Sequence, residues 1–119
     1  MRFRLFGAAL LMLAMAVTPA LAQSQAPGVT DTEITIGMTT PLSGPAAAWG
    51  NTAVAAEAWG RYVNDQGGIN GRKIKVVMKD DAYNPGKAVA NLKEMKDSVF
   101  LTVGLLGSSV LNAAKDDIA

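Results

Sequence analysis

The sequence predicts an α/β fold, an open sheet of parallel strands in the order 2-1-3 with helices as the crossovers. Three observations carry this expectation. Apolar or alternating segments near residues 33–39, 73–79 and 99–103 are each followed by a turn rich in glycine, proline or serine and then by helical periodicity. Parallel strands joined through helices cross over right-handed, which sets the first strand between the other two. The second strand carries Lys73, Lys75 and Lys79 on one side, as a sheet edge does, whereas the third opens on the near-continuous apolar run Val99 to Val103, patterned as a central strand buried on both faces.

The first 22 residues read as an export signal. Arg2 and Arg4 form a basic start, Leu5 to Val17 an apolar and small-residue core, and Ala20-Leu21-Ala22 a cleavage site. The apolar stretch falls short of the roughly 20 residues a spanning helix needs. Two of the eleven Lys and Arg lie in this leader, which leaves nine against ten Asp and Glu, a net charge of −1 that gives no basis for nucleic-acid or anionic-membrane binding. The chain has no cysteine and no histidine. A disulfide framework, a lipidated cysteine, a thiolate nucleophile, Ser-His catalysis and histidine-ligated metal are thereby excluded within it.

Residues 23–32 form a polar lead with Pro27 and Gly28, too irregular for a core element. From Glu33 to Thr39, Ile34, Ile36 and Met38 alternate with Thr35, Gly37 and Thr39, which defines the first strand, and the small Gly37 leaves room for a close neighbour. Pro41 to Pro45 force a loop at its carboxyl end. A helix then spans about Trp49 to Asn64, with Ala56, Trp59 and Val63 expected on the sheet, Glu57, Arg61, Asn64 and Asp65 on a polar face, and Glu57 and Arg61 spaced for an ion pair. Trp59 is thus assigned to the core. Trp49 stands at the helix start beside the loop, where it either packs or faces a ligand.

Asn70-Gly71 suits a tight turn into the second strand, whose Ile74, Val76 and Met78 alternate with the lysines. The stretch GGINGRK lacks the spacing of a phosphate-binding loop and precedes a strand. Asp80-Asp81 is assigned to turn and capping roles rather than to acid–base or cation chemistry, and Asn84-Pro85 to a helix start. The next helix is expected to bury Ala88, Val89, Leu92 and Met95 and to expose Lys87, Asn91 and Glu94. After the third strand, Gly107-Ser108-Ser109 marks a strand end turning into a helix, a position where open α/β sheets bind ligands, although either serine could instead merely cap the helix. Helical register continues through Lys115 to Ala119 without a stop, and the centrally patterned third strand has no strand to cover its far side, so a truncated chain is expected.

The signal, ITIGMTTPLSGPAAAWG, GGINGRKIKVVMKDDAYNPGKAV and VGLLGSSV, taken in that order, resemble the N-terminal lobe of type I periplasmic solute-binding proteins. Within these, they are similar to the subfamily that serves ABC importers of branched-chain amino acids and amides. The resemblance implies Rossmann-like architecture and residues 33–119 as a partial N-terminal lobe of a bilobal trap. It further implies that Trp49 lies against the ligand and that Gly107, Ser108 and Ser109 grip its α-carboxylate or α-amino group. Val110 stands where close relatives carry another serine, and Gly107 is smaller than the residue often found there, which bears on ligand identity.

The reading is therefore a non-enzymatic, periplasmic solute-binding component for an amino acid or amide. It needs no cofactor and no metal, acts as a monomer at full length, and delivers to an ABC permease in the inner membrane. An extracytoplasmic sensing domain is the alternative. An exported α/β enzyme using Ser108 or the Asp80-Asp81 pair ranks below both, because Ser108 has no visible base.

Overall fold

The computed structural model describes residues 26–118; the expected export signal lies outside them. Strand β1 (Glu33–Thr40) leads through a 3-10 turn (Ala47–Gly50) into helix α1 (Asn51–Asp65). Strand β2 (Lys73–Asp80), helix α2 (Pro85–Met95), strand β3 (Leu101–Val103) and helix α3 (Ser108–Ala114) follow. The sheet is parallel in the order β2-β1-β3, as the alternation predicts. Eight residues of β1 pair with β2, from Glu33 opposite Lys73 to Thr40 opposite Asp80, whereas β3 pairs only over Ile36–Met38.

The local signals act as expected. Asn70 and Gly71 take φ of 50° and 79°, and Ile69 and Arg72 exchange backbone hydrogen bonds of 2.8 and 2.9 Å across that turn. Asn84 caps α2 by accepting from the Lys87 amide at 2.9 Å, with Pro85 at the first helical position. Glu57 and Arg61 pair at 2.9 Å on the exposed side of α1. The α2 side of the core is built from Ala88, Leu92, Met95 and Val99, and a Cβ on Gly37 would lie 3.2 Å from Met95 Sδ, so the small residue admits this helix to the sheet.

Five expectations are corrected. Trp59 is 60% exposed and is no core residue. Helix α1 lies so close to β2 that Ala53 and Gly60 form its buried contact, a Cβ on Gly60 falling 3.5 Å from Ile74 Cγ2. At that separation the neighbouring large ring is turned outward.

The third strand is not buried on both faces. It has three residues, stands at the sheet edge and leaves Leu101 and Val103 40% and 38% exposed, because β1 is its single partner among the described residues. The apolar run divides, with Val99 buried beneath Gly37 before the strand begins.

Asn91 is not on the outside. It is half-buried and donates to Thr39 Oγ1 at 3.0 Å and to the Asp80 carbonyl at 3.3 Å. Finally, the last helix ends at Ala114. A turn follows, in which the Asp117 amide donates to the Ala114 carbonyl at 2.9 Å and its carboxylate pairs with Lys93 at 3.8 Å.

Asn64, expected on the polar face with Arg61, is also half-buried. Its amide donates to the Ile74 carbonyl at 2.7 Å and accepts from the Ile74 N–H at 2.6 Å. This satisfies two backbone groups on the outer side of the β2 edge.

Candidate functional site

The parallel register brings the carboxyl ends of β1, β2 and β3 to one edge of the sheet, and the loops that follow them meet there. The first loop begins at Pro41, which is buried, and carries Trp49 on its 3-10 turn. Gly50 anchors that turn, since a Cβ there would lie 2.4 Å from the Pro41 carbonyl. Thr52 Oγ1 donates to the Trp49 carbonyl at 2.9 Å and fixes its backbone. The Trp49 ring itself is 54% exposed.

Asp80 ties the first loop to the second. Its carboxylate accepts from the Leu42 and Ser43 amides at 2.8 and 3.2 Å, from the Ser43 hydroxyl at 2.5 Å and from the Ala82 amide at 2.9 Å. These donors, the Ser43 hydroxyl first and the Ala82 amide next, hold its pKa down at about 2 against the opposing effect of desolvation. Because the folded-state value is depressed, the stability it contributes is full above about pH 3.8 and is lost as the pH falls through about 2. Ser43→Ala is expected to return the titration toward 3.8, read from the Asp80 carboxyl carbon shift between pH 5 and pH 1.5. An unmoved midpoint would contradict that origin.

Asp81 is fully buried. It accepts from Thr39 Oγ1 at 3.0 Å and from the Tyr83 amide at 2.8 Å. The two carboxylates therefore have structural duties in turns, as the sequence indicated. Among the described residues no group of three or more His, Cys, Asp or Glu is placed to hold a metal.

Of the predicted site residues, Trp49 and Gly107 are brought together through a side chain that sequence reasoning did not select. Tyr83 meets Trp49 edge-on, with ring centroids 5.3 Å apart and planes at 77°. Its ring also covers Gly107, whose Cβ, if present, would fall 2.3 Å from the phenol oxygen. Gly107 has φ of 94° and ψ of 143° and stands as the N-cap of α3 without a side-chain capping bond. Ser108 and Ser109 thus lie in the first turn of α3, exposed, and neither caps the helix. The only sequence signal for Tyr83 was an aromatic in a strand-end turn next to paired aspartates.

A separate concavity of about 360 Å³ lies between α2, β3 and the segment after α3, lined by Leu92, Val99, Phe100, Thr102 and Ile118 among others. It contains none of the four predicted site residues.

Comparison with known proteins agrees with this architecture. Residues 33–119 match the family described as periplasmic binding protein. The Leu/Ile/Val-binding protein homolog 1 of Brucella abortus is 40% identical over 81 residues, which is 66% of this chain and 22% of the relative. The Leu/Ile/Val-binding protein of Escherichia coli is 35% identical over 86 residues, covering 71% and 23%. Among solved structures, the fatty acid ABC transporter substrate-binding protein from Thermomonospora curvata superimposes with a TM-score of 0.74 at 38% identity, over 79% of this chain and 24% of that one. The branched-chain amino acid transporter substrate-binding protein LivJ from Streptococcus pneumoniae, in complex with isoleucine, gives 0.67 at 29% identity, over 72% and 26%.

The chain belongs to the periplasmic binding protein family, has the fold of a type I lobe, and counts Leu/Ile/Val-binding proteins among its relatives. It spans about a quarter of the length of these relatives.

Proposed function

We propose that residues 33–119 form a ligand-binding lobe of a periplasmic solute-binding protein that serves an ABC importer, with an amino acid, branched-chain or related, or an amide as solute. The observation that carries this reading is the meeting of three strand-end loops, where exposed Trp49, half-buried Tyr83 and Gly107 share one contact beside the free first turn of α3. In this reading Trp49 lies along the solute, and the Ser108 and Ser109 hydroxyls with nearby backbone N–H groups hold its α-carboxylate or α-amino group. Residues 1–22 direct export and are removed after Ala22, and the lobe works in the periplasm as part of a monomer. A second lobe closes over the solute, and the closed form docks on an inner-membrane permease. Closure follows from differential contact, since a solute that touches both lobes only when they are shut favours the shut state. No catalysis enters this reading.

The test uses Trp59→Phe, which leaves Trp49 as the single tryptophan of the two in the chain. L-Leucine, L-valine and acetamide are titrated while Trp49 emission is recorded. A saturable change is expected, with an apparent Kd near the millimolar range because one lobe supplies one side of the contacts, which is roughly −4 kcal/mol. Emission unaffected by any of the three at tens of millimolar would overturn the reading.

A further inference from the structure

Two consecutive non-glycine residues, Ala82 and Tyr83, hold φ of 49° and 61°, a left-handed conformation that side chains disfavour. Such strain persists only where the surroundings over-determine it. Here the surroundings do. The Ala82 amide donates to Asp80 Oδ1 at 2.9 Å, the Tyr83 amide to Asp81 Oδ1 at 2.8 Å, and the Asn84 amide to the Asp81 carbonyl at 2.8 Å. Asp81 is itself fixed from behind by Thr39 Oγ1 at 3.0 Å. The product of this arrangement is the placement of one ring. Tyr83 stands edge-on to Trp49 and fills the volume that a side chain at position 107 would occupy.

Tyr83 and Gly107 are thus a size-matched pair, and the bulk at this point of the cleft comes from the β2 loop instead of from the residue preceding Ser108. We propose that Tyr83 is a specificity-determining residue, its ring limiting the size of the solute side chain accepted between Trp49 and the Ser108-Ser109 turn. This rests on the solute-binding reading above.

The experiment compares Tyr83→Phe, Tyr83→Leu and Tyr83→Ala in the Trp59→Phe background, each titrated with L-valine and with L-phenylalanine. The quantity read is the ratio of the two affinities, which general loss of stability moves for both solutes alike. Tyr83→Phe keeps the ring volume and is expected to hold the ratio within about twofold of its parent. Tyr83→Ala is expected to shift it about tenfold toward phenylalanine, the scale on which hydrophobic pockets discriminate size. Tyr83→Leu is expected to fall between, and it decides the matter should the alanine variant not fold. A ratio constant across the series, in a parent that binds, overturns the proposal and leaves the solute-binding reading standing. A shift in Tyr83→Phe as large as in Tyr83→Ala also overturns it, because the hydroxyl and not the bulk would then be selecting. A parent that binds neither solute overturns the proposal, and the solute-binding reading falls with it only where L-leucine and acetamide also leave the Trp49 emission unchanged.

Discussion

Gly107→Ala is expected to lower stability by roughly 3 kcal/mol, from two separable sources. One is backbone strain, since φ of 94° is a region L-residues avoid, at about 1–3 kcal/mol. The other is overlap, because the new methyl would fall 2.3 Å from the Tyr83 hydroxyl oxygen and 2.4 Å from ring atom Cε2, and overpacking of this kind costs about 1–3 kcal/mol. Gly67 supplies the control. Its φ is 104°, yet nothing lies within 4 Å of the Cβ position, so Gly67→Ala carries strain without overlap. Urea unfolding should therefore show the larger loss at position 107, and Tyr83→Ala in the same chain should recover the overlap share. Equal losses at 67 and 107 would show that Tyr83 yields freely, contrary to its three hydrogen-bonded supports.

Met95→Ala is expected to cost about 2–5 kcal/mol, the range for truncating a buried Leu, Ile or Met to alanine. Met95 is 1% exposed and its sulfur packs beneath Gly37, with Val99 beside it, so no flexible surface group is available to refill the space. Met95→Leu nearly conserves volume and should cost less than about 1.5 kcal/mol. The midpoint in urea should move without a change in slope. A Met95→Ala chain as stable as its parent would mean that α2 is not seated on β1 as described.

The contrast between Ala53 and Trp59 shows where the sequence was informative and where it was not. Alternation in β1 and β2, the crossover rule and the turn at Asn70-Gly71 set the strand order, because each is a local constraint with a fixed geometric result. Helical period gives only the angle of a residue around its axis. How near the axis lies to the sheet decides whether a large ring at the stripe's margin fits inside, and on α1 the small residues at 53 and 60 bring it too near for Trp59. Asn64 and Asn91 were misjudged for a related reason. A polar residue reads as exposed until a specific backbone or hydroxyl partner is known, and those partners lie 10 and 52 residues away in sequence. At the candidate site, Trp49, Gly107, Ser108 and Ser109 were selected from their places beside strand ends together with the family resemblance. Tyr83 was not, because its position depends on two non-glycine residues adopting a left-handed backbone that no composition rule announces.

The Asn64 side chain has a consequence for how this sheet can grow. Its amide imitates a neighbouring strand, filling one carbonyl and one N–H of Ile74 as a ladder partner would, while the Lys73 ammonium donates to the Asn64 carbonyl at the same border. Among the described residues no such closure stands on the outer side of β3, where Leu101 and Val103 are exposed. The sheet is therefore one-sided toward any further strand. Pairing, whether native addition or erroneous association between molecules, is directed to the β3 border, and a charge placed there should suppress association in a way that the same charge on β2 would not.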